Sequence, residues 1–248
     1  MEAFYEWFRI LYEDTGINLP FMYDEYDRGR ILNGLWATIK LSAICVLFSV
    51  IIGMVGAWLQ GSPWKTTRRI VNVYIQLFRN TPPLVQLYFF YFAVGILIPR
   101  VENDWGGTSP LIDSFGWAVI SLSFFAGAFN VEIFRSGIEA VPKSTIEAAK
   151  ALGFSRLQIY KDITLPLALR VVIPSLNNNL VNLVKTTTLA YAIAVPELLY
   201  ESNQIWSDNV NVTEMMLFLL VAYFVLVGIL VWAMNFWDRS LKIPGFGQ

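Results

Sequence analysis

The apolar positions of this chain are gathered into long runs, and the polar positions into short breaks between them. Half-buried strands would alternate the two kinds, so runs of this length argue for helices. Five runs stand out. The first spans about Ile31 to Leu59, carries Lys40 near its start and stops at Gly61-Ser62-Pro63, residues that punctuate helices. The second spans about Arg69 to Ile98 and is broken at Thr81-Pro82-Pro83. The third covers about Phe115 to Arg135. The fourth covers about Ile163 to Val195, with Pro166 and Pro174 inside it, and the fifth, Met215 to Trp237, holds no charge. Each has roughly the 20 apolar residues that a helix needs to cross the hydrocarbon. The pattern predicts an all-α integral membrane protein with five transmembrane helices. Before them, residues 3–12 (AFYEWFRILY) predict a short amphipathic helix, too short to span and rich in the aromatic residues that favour the membrane interface. The expected organisation is an interfacial and acidic segment at 1–30, a single membrane domain at 31–240 and a tail at 241–248.

Charge changes the picture through its placement. The total is −1 and uninformative, but charged residues are only 15% of the chain, where soluble domains carry about a quarter. Lys65, Arg68 and Arg69 follow the first run, Lys143, Lys150, Arg156 and Lys161 follow the third, and Arg239 and Lys242 lie in the tail. Basic loops face the cytoplasm. The intervening loops are acidic: Arg100 stands against Glu102, Asp104 and Asp113, and Glu197, Glu201, Asp208 and Glu214 have no basic companion. The expected topology therefore has the N-terminus outside and the C-terminus in the cytoplasm. The chain has no histidine and one cysteine, Cys45. That excludes Ser-His hydrolases, histidine-liganded metals and an intrachain disulfide, and no catalytic or metal-binding residue is expected. The opening residues, with Glu2, Glu6, Trp7, Phe8, Glu13 and Asp14, lack the basic end and apolar core of a secretory signal.

The loop after the third run carries the most information. Pro142 stops the preceding helix. Ser144 or Thr145 is expected to cap a new one, with Glu147 near the third position of a capping box begun at Ser144. Ala148, Ala149, Lys150, Ala151 and Leu152 continue the helix, and Gly153 ends it. Phe154 and Leu157 then stand as exposed apolar contacts. Such a helix, at about 145–157 on the cytoplasmic side, suits either docking on a soluble partner or lying on lipid.

Its spacing resembles the cytoplasmic "EAA" loop of the permease subunits of ATP-binding-cassette importers: Glu147-Ala148-Ala149, three residues, Gly153, nine residues, Ile163, one residue, Leu165-Pro166. The segment Phe78-Arg79-Asn80-Thr81-Pro82-Pro83-Leu84-Val85-Gln86 resembles the second-span signature of the polar amino acid branch of that binding-protein-dependent family. Val131 to Lys143 is similar to the segment leading into its loop. The resemblance covers about residues 30–240. It implies the type I importer permease fold and a coupling helix seated in a groove of a cytoplasmic ATPase. It also implies two such ATPase subunits, a second permease subunit (a copy of this chain or a related one) and an extracytoplasmic amino acid-binding protein. The location implied is the bacterial inner membrane, with the lipid bilayer as a partner and no nucleic acid. Glu147, Ala148, Ala149, Gly153, Phe154 and Leu157 would couple to the ATPase, with Glu147 supplying charge or a cap and Gly153 a sharp turn and close approach. The chain lacks a Gly-x-x-x-x-Gly-Lys-Ser/Thr phosphate loop. It is therefore expected to bind no cofactor and to be no enzyme by itself, with ATP and magnesium held by the partner.

Polar residues inside the runs suggest a path. Asn177, Asn178, Asn179, Asn182, Lys185 and Thr186 to Thr188 interrupt the fourth. A lysine at the bilayer centre costs about 2.5–3.5 kcal/mol on insertion scales, so it faces a polar cavity or a partner. Asn178, Asn182 and Lys185 share one helical face, and Asn179, Asn182 and Thr186 form a neighbouring stripe. They could line a hydrated path for a zwitterion, with Lys185 suited to a carboxylate. The competing readings are helix–helix hydrogen bonding by the asparagines and snorkelling by Lys185. Permeases similar to this chain often carry glutamate where Asn179 stands, and its loss argues against a site for basic amino acids formed by this chain alone, although a partner permease could supply that acid. Arg79, Thr81 and Gln86 flank the break in the second run, where a broken helix exposes backbone groups for binding. The alternative is a simple kink with Arg79 at the cytoplasmic surface. Glu132 and Arg135 are expected to pair with each other. An ion-coupled carrier or channel built around Lys185 is the rival function, and it has no use for the cytoplasmic helix.

Overall fold

A computed structural model describes residues 2–102 and 105–241, with side chains considered for 5–102 and 105–236. Asp104, Lys242 and the tail after Leu241 lie outside the described residues. The helices, in chain order, are α1 (Glu2–Thr15), α2 (Glu25–Gln60), α3 (Lys65–Arg79), α4 (Pro83–Tyr88), α5 (Ser114–Ala140), α6 (Lys143–Ala151), α7 (Arg156–Gln158), α8 (Leu165–Thr186), α9 (Leu198–Asn209) and α10 (Val212–Leu241). A small antiparallel hairpin, β1 (Arg100–Glu102) and β2 (Thr108–Pro110), pairs Arg100 with Pro110 in the loop after the second run.

Among the described residues, three helices are long and apolar enough to cross a membrane: α2, α5 and residues 212–236 of α10. They sit differently. The apolar window of α5 is 67% buried and that of α10 only 11%. The described part of α10 thus leaves most of its apolar surface outside the fold of this chain, as Leu217, Leu220, Phe224 and Trp232 show. The other two runs depart from single helices. The second is α3, a break, α4, a wider π segment at Phe89–Val94 and a tight 3-10 turn at Gly95–Leu97. The fourth runs as α8 only to Thr186 and tightens into a 3-10 helix at Thr187–Ile193. The threonine hydroxyls explain where the change falls: Thr187 Oγ1 donates to the Val184 carbonyl at 2.7 Å and Thr188 Oγ1 to that of Lys185 at 2.9 Å, competing with the helical bonds.

The first span also starts earlier than the apolar pattern suggests. The polar segment up to Arg30 was expected as external loop, but Glu25–Arg30 already winds as α2. Asp24 Oδ2 accepts the Asp27 N–H at 3.0 Å and so starts the helix. At 1.5 Å per residue α2 is ~54 Å long, well beyond the ~30 Å hydrocarbon, so its polar first turns need not enter lipid.

The chain divides into two compact units. One holds the described residues of Met1–Ile44, Leu87–Ser121 and Val184–Gly228. Its core gathers Phe21, Ile31, Leu198, Ile205, Met215 and Leu219. Here α9, absent from the apolar pattern, is built on polar contacts. The fully buried Glu197 accepts the Leu199 and Tyr200 N–H groups at 3.0 and 2.8 Å and the Tyr223 hydroxyl at 2.9 Å. Arg30 binds Asp208 at 2.8 Å, Asp27 at 3.2 Å and Glu201 at 3.4 Å, so the acidic loop has a cation after all. Lys40 is answered by the ring of Phe115, 5.1 Å from its centroid.

The other unit holds the described residues of Cys45–Gln86, Leu122–Leu183 and Ile229–Gln248. Ala57, Val71, Ile75, Val131, Phe134 and Val172 form its core. Glycines let the backbones approach, the usual device where lipid supplies no hydrophobic drive between helices. A Cβ on Gly53 of α2 would lie 2.4 Å from that of Asn130 on α5. One on Gly137 of α5 would lie 2.3 Å from Val172 Cγ1 on α8.

Candidate functional site

Both candidate regions can be built from local chemistry, beginning with the loop helix α6. It begins two residues earlier than a cap at Ser144 would have it. Pro142, at φ −58° and ψ 132°, is the N-cap, and its carbonyl accepts the Thr145 and Ile146 N–H groups at 3.1 and 3.4 Å. Ser144 and Thr145 are therefore already inside the helix and make no cap bond, so the capping box expected at Ser144–Glu147 does not form. A capping box occurs instead at the start of α7. Ser155 Oγ accepts the Gln158 N–H at 3.3 Å, and Gln158 Oε1 accepts the Ser155 N–H at 2.9 Å. Ser155-Arg156-Leu157-Gln158 carries the Ser-x-x-Gln pattern and was legible in the sequence.

The end of α6 is as the glycine predicts. Gly153 has φ +83°. Its N–H reaches the Lys150 carbonyl at 3.0 Å, and the Phe154 N–H reaches that of Ala149 at 3.2 Å. These two bonds make a Schellman turn, which closes the helix by a left-handed residue. The expected close approach at Gly153 is not found within this chain, since a Cβ there would meet nothing within 4 Å. Within this chain it is the turn that requires glycine.

The turn leaves an exposed apolar ridge. Glu147, Ala148, Ala151 and Leu152 lie on one exposed face of α6, with Phe154 and Leu157 beyond it. Leu152 is 77% exposed and Leu157 71%. Leu152, expected only as part of the helix, is among the most exposed of these residues. The i, i+1, i+4, i+5 spacing of 147, 148, 151 and 152 would have identified it. Ala149 is buried and faces the protein, so it cannot present its side chain to a partner. Beyond α7 the chain widens into a π segment at Ile159–Thr164 that leads into α8. Burial raises the Tyr160 phenol above its ordinary value and keeps it neutral.

The break between α3 and α4 is closed from within. Gln86 is buried, and its Nε2 reaches Thr81 Oγ1 at 2.7 Å, the Phe78 carbonyl at 2.8 Å and the Thr81 carbonyl at 3.0 Å. Thr81 Oγ1 donates back to Leu77 at 2.7 Å. Gln86 and Thr81 thus satisfy the backbone that Pro82 and Pro83 leave open. Arg79 pairs with Glu132 and lies over Phe129, 5.3 Å from the ring centroid. Glu132 also binds Arg135 at 3.6 Å, and Arg135 reaches Glu139 at 3.8 Å, so the expected Glu132–Arg135 pair is the middle of a four-membered group that runs from Arg79 to Glu139.

The asparagines of α8 divide by role. Asn179 Nδ2 donates to Asn130 Oδ1 at 2.8 Å and to the Ala126 carbonyl at 3.2 Å, holding α8 against α5. Asn178 and Asn182 are exposed, as is Lys185 in the last turn, while Thr186 is half-buried.

Comparison with known proteins follows the same lines. The profile of the family described as "Binding-protein-dependent transport system inner membrane component" matches residues 47–243. A putative glutamine transport system permease protein of Rickettsia conorii is 34% identical over 202 residues, covering 79% of this chain and 86% of its own length. A probable glutamine ABC transporter permease protein of Bacillus subtilis is 27% identical over 226 residues, covering 91% and 99%. Among solved structures, the crystal structure of an amino acid ABC transporter with histidines superposes with a TM-score of 0.75 at 25% identity, covering 90% of this chain and 99% of that one.

Proposed function

The chain belongs to the family of binding-protein-dependent transport system inner membrane components, and on that premise we propose that it is the permease subunit of an ATP-driven importer of polar amino acids. It is a multi-pass protein of a bacterial inner membrane. It hydrolyses no ATP itself, and the hydrolysing subunit is a partner. The relatives named for glutamine transport support an amide or similarly polar substrate. They do not favour an ion-coupled carrier or channel.

The observation that carries the coupling reading is the exposed ridge of α6. A nine-residue helix ended by a left-handed glycine turn and presenting Glu147, Ala148, Leu152, Phe154 and Leu157 has no use in an ion-coupled carrier or channel. It suits a groove in a cytoplasmic ATPase. Closure of two ATPase subunits on ATP would then carry α6, and with it α5 and α8, between two packings. Five spans with the N-terminus outside place α6 on the basic, cytoplasmic side. A second permease, identical or related, completes the path, because the exposed Asn178 and Lys185 of α8 need a polar surface opposite them. A binding protein delivers substrate to the acidic outer loops. ATP and magnesium stay with the ATPase.

The test is co-purification of the chain with candidate ATPase subunits and its permease mate, followed by ATP-driven uptake in proteoliposomes. Glu147→Arg combined with Leu152→Asp should leave membrane insertion intact and abolish both ATPase retention and uptake. Unchanged assembly and uptake in that variant would remove α6 as the coupling element.

A further inference from the structure

Beneath the loop helix lies a cavity of about 790 Å3, within the ~300–1,000 Å3 range of small-molecule sites. It is bounded by the end of α2, the turn before α3, the end of α5, and the segment from α6 through α7. Its deeper lining is apolar and includes Ala57, Ile138 and the buried Ile159. Trp58 and Trp64 stand at its opening, 57% and 74% exposed, where indoles would mark the level of the headgroups. Two cations, Lys150 and Arg156, line it, and no carboxylate does among the described residues. Neither cation takes part in the ion pairs described above. In contrast, Arg79 and Arg135 are each paired with an acid.

An apolar pocket rimmed by unpaired cations and by tryptophan matches an anionic amphiphile. We propose that this cavity binds an anionic phospholipid of the inner leaflet, with its phosphate between Lys150 and Arg156 and the upper part of an acyl chain against Ile138 and Ile159. Basic pockets on the cytoplasmic side of membrane helices hold such headgroups, and the leaflet they face is negatively charged. The site is placed so that its occupant touches α6 from within, while the ridge at Glu147 and Leu152 remains free. A bound lipid would fix the resting position of the helix. The proposal takes from the functional reading only that α6 lies on the cytoplasmic side.

The test is native mass spectrometry of the full-length chain, stripped of lipid and titrated with dioleoyl phosphatidylglycerol, dioleoyl phosphatidylcholine or glycerol phosphate. Because no ATPase is present, a failure of the coupling reading does not affect the result. One phosphatidylglycerol per chain should be retained, and phosphatidylcholine should not. Lys150→Gln with Arg156→Gln should weaken retention by about thirty-fold, while the charge-matched control Lys143→Gln with Lys161→Gln should stay near wild type. Three results would overturn the proposal. A loss in the control as large as that in the test variant would reveal diffuse surface charge only. Displacement of the lipid by glycerol phosphate at similar concentration would reveal a soluble-anion site. Loss of the lipid in the assembled transporter, together with a cross-link from position 64 to the ATPase, would make a protein segment the occupant.

Discussion

Gly153 offers a test in which conformation and sterics separate cleanly. Its φ of +83° is costly for any residue with a Cβ, yet a Cβ would meet nothing within 4 Å. A substitution therefore acts through the backbone alone as far as this chain is concerned. The left-handed conformation costs an ordinary L-residue ~1–2 kcal/mol, so alanine is placed near ~1 kcal/mol and β-branched valine near ~2 kcal/mol. Asparagine, which tolerates this region, should cost least. At ~1.4 kcal/mol per tenfold, these values cap the loss of ATPase affinity per loop helix at about five-fold for Gly153→Ala and about twenty-five-fold for Gly153→Val. They are upper limits, because affinity falls only as far as the docking-competent turn is depopulated. The assay is equilibrium binding of purified ATPase subunits to the permease in nanodiscs, for glycine, asparagine, alanine and valine at 153. The expected order of affinity is glycine, asparagine, alanine, valine. If asparagine proves as damaging as valine, the loss follows side-chain size. The glycine would then be required by a partner surface pressed against it, and the conformational account would be wrong.

Three further outcomes are expected. A double-mutant cycle of Asn130→Ala and Asn179→Ala, read by thermal unfolding in detergent, should give a coupling of ~0.6–1.7 kcal/mol, the range of interhelical hydrogen bonds in membranes; additive effects would deny the bond. Gly137→Val should lower thermal stability by ~1–3 kcal/mol, because its Cβ would lie 2.3 Å from Val172 Cγ1 and 2.9 Å from the Ala168 carbonyl oxygen. Adding Val172→Ala should recover only part of that loss, since the backbone oxygen remains. Lys185→Met should impair amino acid uptake while leaving assembly with the ATPase intact, and normal uptake would assign the exposed lysine to snorkelling at the outer surface.

What was legible in the sequence follows from what membranes demand of a chain locally. In lipid every backbone group must be satisfied within its own helix, so the long apolar runs near α2, α5 and α10 could be read directly. The end of α6 was equally legible, because a left-handed turn selects glycine by sterics at one residue. Tertiary structure decided the features that depend on distant neighbours. Asn178, Asn179 and Asn182 look alike in the sequence, yet Asn179 holds Asn130 while Asn178 and Asn182 stay exposed. Gln86, expected to flank an open break, closes it instead. The helix α9 carries no long apolar run and rests on a buried Glu197 whose partners come from Leu199, Tyr200 and Tyr223. Hydrophobic length and turn chemistry are properties of neighbouring residues, and the chain displays them in order. The partner that satisfies a polar side chain is a property of packing, and it exists only once distant segments have met.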